Sequence, residues 1–235
     1  ELRRDVIPAL LAAHPKGAAL RAWTTGCSTG EEAYSLGIVF REAVAHVKSS
    51  AHHSLQIFAT DLDKDAIDKA RAGVYSANIA ADVTEARLRR FFVKEERGYR
   101  VSKEIREMVI FAPQNLVMDP PFTKLDLLMC RNLLIYLESD LQKKLLPLFY
   151  YSLNPGGILV LGSSETIGQA TDLFTPLPGK TRLYRRLDGP RSEAIEFPAV
   201  FNRHRDGAAG TSTPPPPAQL SAPNLQALTD SLMLK

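Results

Sequence analysis

The sequence predicts an α/β domain built on a mostly parallel sheet. Three observations carry that expectation. Apolar runs of strand length alternate with longer stretches of helical periodicity from residue 20 to residue 186. One of these runs ends in a glycine turn that opens straight into a helical pattern, T-T-G-C-S-T-G-E-E-A-Y-S-L-G at 24–37. Hydrophobic residues make up 45% of the 235-residue chain, enough for a sizeable core.

The elements follow in order. L-R-A-W-T-T (20–25) ends at Gly26 and suits a buried strand. Glu31 to Val47 places Leu36, Val39, Phe40, Ala43, Val44 and Val47 at helical spacing. L-Q-I-F-A-T (55–60) is a second strand, and the next helix (63–71) has Asp63 as its N-cap. T-E-A-R-L-R-R-F-F (84–92) is helical and Y-R-V-S (99–102) a short strand. M-V-I-F-A-P (108–113) and L-D-L-L-M-C (125–130) are strands. Glu138 to Leu153 is a helix stopped by N-P-G-G, and strands at 158–162 and 181–186 complete the set.

Composition narrows the function. The 29 basic and 26 acidic residues nearly cancel, which speaks against a dedicated nucleic-acid surface. No apolar run approaches the about 20 residues of a membrane span, and no signal peptide or direct membrane insertion is expected. Cys27 and Cys130, far apart, are expected as reduced thiols in a cytoplasmic protein. The chain opens on Glu and is expected to be a piece of something longer. Near residue 188 the composition changes. Residues 188–223 read as a Pro-rich linker with four consecutive prolines, and 224–235 as the start of a further helical segment.

A strand, a glycine turn and a helix make a nucleotide-binding corner, yet Glu31 and Glu32 in the first helical turn would repel a pyrophosphate. A cationic ligand such as S-adenosylmethionine suits them; they also simply complement the helix dipole. Asp61, at the tip of the second strand, stands where an adenosine ribose presents its hydroxyls, or caps the next helix. D-P-P-F (119–122) resembles a motif of nitrogen-directed methyltransferases. The few residues between it and the strand at 125–130 leave no room for a crossover helix, so it reads as a turn. Cys27 reads as small-residue packing rather than a nucleophile. His14, His46, His52 and His53 form no metal spacing and read as solvated.

G-C-S-T-G-E-E-A-Y-S, F-A-T-D-L-D, F-A-P-Q-N-L, C-R-N-L-L-I-Y and N-P-G-G-I-L-V-L-G-S-S-E together resemble, in order and spacing, the CheR chemotaxis receptor methyltransferases over residues 1–187. The resemblance implies a class I S-adenosylmethionine-dependent methyltransferase fold, Rossmann-like, with a small inserted β-subdomain at about 78–107. It implies O-methylation of glutamates on the cytoplasmic methylation helices of chemoreceptors, with S-adenosylhomocysteine as product and no metal. The turn holding Gly26, Cys27, Ser28 and Gly30 matches the cofactor loop. Glu31 and Asp61, with Leu62 beside it, match cofactor positions, Asp61 the ribose acid. Asn115 and Leu116 match the adenine pocket. Arg131 and Asn132 match a cofactor-contacting pair, and Tyr136, with Arg131, is the catalytic candidate near the transferring methyl.

The chemistry fits these residue types. A glutamate carboxylate is ionised near neutral pH and attacks a sulfonium methyl without a general base, so alignment and water exclusion are what the protein must supply. Family members carry an upstream N-x-T-x-F-F-R segment whose Arg lies over the cofactor; this chain begins after it. The short V-K-E-E-R-G-Y-R-V-S turn points to recognition that is independent of a receptor tether. The Pro-rich tail fits hybrid members fused to sensor or esterase domains. Arg87, Arg89 and Arg90 form a basic patch that could meet an acidic receptor helix or be a solvated face. Two alternatives remain open: a non-catalytic cofactor-binding scaffold in a hybrid signalling protein, and a nicotinamide-dependent dehydrogenase, which the acids at the helix start disfavour.

Overall fold

The computed structural model describes residues 1–14, 18–47, 53–179 and 182–189. The expected Pro-rich stretch, from residue 190 on, and the terminal helical segment lie outside them, as does His52. A π-helical turn (Leu2–Val6) runs into α1 (Ile7–Ala13). Then come β1 (Leu20–Thr25), α2 (Glu31–His46), β2 (Leu55–Asp61), α3 (Lys64–Ala72), β3 (Val74–Tyr75), α4 (Glu85–Phe91), β4 (Phe92–Glu95) and β5 (Gly98–Val101). The second half holds α5 (Lys103–Arg106), β6 (Val109–Pro113), β7 (Leu125–Cys130), α6 (Ser139–Ser152), β8 (Leu153–Leu161), β9 (Phe174–Pro176) and β10 (Leu183–Arg186).

Seven strands form one sheet in the order β6-β2-β1-β7-β8-β10-β9. The first five are parallel, and β10 runs antiparallel to both its neighbours. Both faces are covered, so the central strand β7 is buried along its whole length and β1 at five of its six residues. On one face Ala22, Ile57 and Leu127 pack with Leu36 and Phe40 of α2. On the other, Trp23 and Leu128 pack with Leu145 and Phe149 of α6. The chain winds from β1 out to β2 and β6, then returns to the opposite side of β1 with β7 and β8. The order therefore reverses between β1 and β7, and the crevice beyond the carboxyl ends of strands at such a reversal is where open α/β sheets hold ligands. Thr25 is in register with Cys130, so the loops beginning at Gly26 and Arg131 leave the sheet side by side.

Most boundaries follow local chemistry. Asp63 Oδ1 accepts from the N–H groups of Asp65 and Ala66 at 2.8 and 3.2 Å and starts α3. D-P-P-F is a turn with no helix before β7. Its Phe122 ring stacks on Phe58 with centroids 4.4 Å apart and meets the edge of Trp23.

Three expectations are corrected. N-P-G-G does not separate α6 from its strand: β8 begins at Leu153, directly after the helix. Leu153 pairs with Leu125 and Ile158 with Leu127, so the extra residues bulge out of a ladder that continues on both sides, with Gly156 at φ 73°. The arginine patch is a solvated face at Arg89 and Arg90, which are exposed, but not at Arg87. Arg87 pairs with Glu42 at 2.7 Å, Arg89 with Glu85 at 2.9 Å, and the Arg90 guanidinium lies over the Phe91 ring. His14 is not simply solvated, since its Nδ1 lies 3.7 Å from Asp126 Oδ1. A separate antiparallel sheet, β3-β5-β4, takes in Val74–Tyr75 upstream of the expected insert, and the Tyr75 hydroxyl ties it to the main body by donating to the Thr29 carbonyl at 2.8 Å.

Candidate functional site

The reversal point joins the loop after β1 to the loop after β7. Gly26 sits at φ 63°, a backbone conformation that favours glycine, and a Cβ there would crowd the Leu133 side chain at 3.2 Å, so the two loops pack closely at this point. Gly30, at φ 92°, is the N-cap of α2; its amide donates to the Cys27 carbonyl at 2.9 Å and closes the turn. Two of the four non-glycine residues with positive φ among those described, Ser28 and Asn132, lie in these same two loops. Backbone held in this sparsely populated region concentrates at ligand sites.

Asp61 ties the turn to the tip of β2. Its Oδ2 accepts the Ser28 N–H at 2.7 Å and its Oδ1 the Asp63 N–H at 2.9 Å. A cavity of about 180 Å³ opens beside it, walled by Gly26, Asp61, Leu62, Asn115, Leu116 and Leu133 among others. Asn115 is set by Asp119, whose Oδ2 accepts the Asn115 N–H at 2.7 Å, while Asn115 Oδ1 accepts from Val117 and Met118. Leu116 packs against the apolar cluster under the cavity floor, giving a flat planar ring an apolar wall. Larger depressions exist, one of about 610 Å³ between α6 and residues 164–173. It borders the loop after β7 at Leu134 and Ile135 but takes in neither Asp61 nor any residue of the loop after β1.

On the α2 side of the loops a second depression of about 400 Å³ is lined by Glu31, Glu32, Ser35 and Arg131. Arg131 Nη1 and Glu32 Oε1 are 2.6 Å apart. Burial pushes the Glu32 carboxyl above its ordinary range, and the Arg131 guanidinium pulls it part of the way back. Glu31 accepts the Thr29 hydroxyl and stays at the rim. Cys27 is buried, and burial followed by the Asp61 charge pushes its thiol up to about 12, which leaves it protonated and removes it as a nucleophile. Burial likewise pushes Cys130 up to about 12.

Of the expected residues, Gly26, Asp61, Leu62, Asn115 and Leu116 therefore converge on one cavity, and Glu31 and Arg131 on a separate depression against α2. Ser28 and Gly30 shape the loop. Asn132 and Tyr136 line neither cavity; Tyr136 closes a 3₁₀ turn (Leu134–Tyr136) and is 79% exposed. Thr25, Thr60 and Gln114 also line the cavity and were not anticipated. Threonines at the tips of otherwise apolar strands are the signal that could have marked the first two. Glu165 and Gln142, which bind the backbone of the loop after β7, were also missed.

The fold belongs to the doubly wound α/β class, with its order reversed between β1 and β7 and with acids at the start of α2, where a pyrophosphate would meet backbone N–H groups. Within that class, a family model described as the CheR methyltransferase SAM-binding domain matches residues 1–183, and the chain belongs to this family. It is 41% identical over 187 residues to an uncharacterised 104.1 kDa protein from the hypE 3' region of Rhodobacter capsulatus, covering 80% of this chain and 19% of that protein. It is 33% identical over 165 residues to chemotaxis protein methyltransferase 2 of Vibrio cholerae, covering 68% of this chain and 56% of the relative. It is 33% identical over 170 residues to the chemotaxis protein methyltransferase of Escherichia coli, covering 68% and 57%. The chain thus spans little more than half the length of these two chemotaxis methyltransferases. No helix among the described residues is long and apolar enough to cross a membrane.

Proposed function

We propose that this domain holds S-adenosylmethionine in the crevice between the loops after β1 and β7 and methylates glutamate side chains on the cytoplasmic methylation helices of chemoreceptors. The observation that carries the reading is the convergence of Gly26, Asp61, Asn115 and Leu116 on one cavity, with Glu32 and Arg131 beside it and Tyr136 exposed on the adjoining loop. The crevice suits this cofactor: the cradle at Gly26 would be filled by a Cβ, and the acids at the start of α2 favour a cation over a pyrophosphate. Asp61 would accept the ribose hydroxyls, Asn115 and Leu116 would hold the adenine, and Glu31, Glu32 and Arg131 would meet the methionine end. When bound, the cofactor supplies an electrophilic methyl on a positive sulfur.

The protein's own part is positional. Tyr136, exposed beside the crevice, orients the incoming carboxylate through its hydroxyl; the substrate needs no deprotonation because its carboxyl is already ionised. Substrate seated over Tyr136 excludes water from the crevice. The V. cholerae and E. coli relatives are named chemotaxis protein methyltransferases, which supports methyl transfer to a chemotaxis protein, and the match to 19% of a 104.1 kDa Rhodobacter protein is compatible with such a domain forming part of a longer chain.

The test uses the full-length protein, S-adenosylmethionine labelled in the methyl group and a chemoreceptor cytoplasmic fragment. Base-labile label, released as methanol, is the expected result. Tight binding of S-adenosylhomocysteine without label transfer to any receptor fragment would overturn the enzymatic reading and favour the scaffold.

A further inference from the structure

Glu165 is 3% exposed, at the end of the G-S-S-E stretch after β8. Both its oxygens are spent on backbone donors. Oε1 accepts from Leu133 and Leu134, each at 2.8 Å, and Oε2 accepts from Gly162 at 2.7 Å. The first two donors start the 3₁₀ turn that ends in Tyr136, and they follow directly on Asn132, whose φ is 55°. A carboxylate with several backbone N–H donors is a strong, charge-assisted anchor. The opposite, carbonyl side of the same turn is held from another element. Gln142 of α6 donates through Nε2 to the carbonyls of Leu134 and Leu137 at 2.8 and 2.9 Å. The approach is also tight: a Cβ on Gly162 would fall 2.7 Å from Glu165 Oε2 and 2.9 Å from Asn132 Oδ1, so only glycine lets the two loops close.

Tyr136 needs such an anchor. Its ring is largely in solvent, so core packing does not fix it, and its place relative to the crevice is set by the backbone of residues 131–136. We infer that Glu165 and Gln142 form a two-sided clamp on this turn and are positioning residues that hold Tyr136 and Arg131 toward the crevice. The inference rests on the function proposed above and adds two residues to it that touch neither substrate nor cofactor.

The experiment compares the full-length protein with Glu165→Gln and Gln142→Leu. Glutamine cannot replace Glu165 in kind, because one of its two head atoms is an NH₂ donor that must face a backbone N–H. Biosynthetic 3-fluorotyrosine is introduced, and the Tyr136 resonance is assigned by its absence in Tyr136→Phe. In the wild type that resonance is expected to shift when S-adenosylhomocysteine is added. In both variants the shift is lost although the ligand still binds, and kcat for methyl transfer falls by about 100-fold, the scale of a misplacement near 1 Å, with a much smaller change in the Kd of the product. A Tyr136 shift retained in both variants, with kcat within about threefold of wild type, would overturn the clamp. Should Glu165→Gln fail to fold, Gln142→Leu, at the edge of α6, decides alone. If the wild type transfers no methyl, the function falls, while the fluorine shift still decides whether the clamp sets Tyr136.

Discussion

Replacing Asp61 by Asn separates the two jobs assigned to this side chain. Its carboxylate accepts the Ser28 N–H at 2.7 Å and the Asp63 N–H at 2.9 Å. A carboxylate has about four acceptor sites, so two remain for the ribose hydroxyls. Asparagine offers one oxygen and one NH₂ group, and in either orientation a donor faces a backbone donor. The site is open to solvent, which puts the loss of the loop bond at about 1 kcal/mol of stability. In the complex the hydroxyls lose a charged acceptor, a further cost of about 1.5–3 kcal/mol, or about 10- to 150-fold in Kd. Calorimetric titration with S-adenosylhomocysteine reads the second effect, and urea unfolding without ligand reads the first. A Kd within threefold of wild type beside the calculated loss of stability would refute the ribose role and leave Asp61 as a loop tie only.

Three further outcomes follow from the geometry. Tyr136→Phe removes one exposed hydroxyl and is expected to lower kcat by about 100-fold while leaving S-adenosylhomocysteine affinity and stability unchanged, because the ring carries no core packing. Glu32 has a raised folded pKa, through burial first and with Arg131 opposing it, so it goes neutral on acidification before an ordinary glutamate does. S-adenosylhomocysteine binding, followed calorimetrically, should therefore weaken from a pH above the usual value of about 4.3, and Glu32→Gln should hold the weakened affinity at every pH. Glu42, hydrogen-bonded first by Arg87 and also by Arg3, has its carboxyl held below the usual range. Its contribution is thus present above about pH 4.3 and lost as pH falls through the depressed value. Glu42→Gln should cost about 1 kcal/mol at neutral pH, small because both arginines are more than a third exposed, and urea titrations of variant and wild type should converge in acid.

The parts of this protein that sequence makes legible are those governed by near neighbours along the chain. The period of Leu36, Val39, Phe40 and Ala43 marks α2 because one face meets the sheet, and the Asp63 cap marks α3 because its acceptor and donors lie within three residues. Asp61 is legible because it ends the second strand, whereas Asn115 is assigned through the family resemblance; the adjacency of β2 and β6 brings the two together. N-P-G-G misled because proline and glycine signal a break equally well whether the ladder stops or bulges; the pairing of Leu153 with Leu125, which decides, is not local. The arginines of α4 looked like a patch because Glu42, the partner of Arg87, lies 45 positions away. Glu165 was invisible as a functional residue for the same reason: it binds backbone N–H groups 31 and 32 positions distant, and a backbone donor leaves no mark in the sequence of side chains.

The most direct test of the account is a crystal structure of the domain with S-adenosylhomocysteine. The predicted result places the adenosine in the cavity between Gly26, Asp61 and Leu116, with the ribose hydroxyls within hydrogen-bond distance of Asp61 and the homocysteine end toward Glu32 and Arg131. Adenosine bound instead in the depression between α6 and residues 164–173, with Asp61 contacting only Ser28 and Asp63, would contradict it.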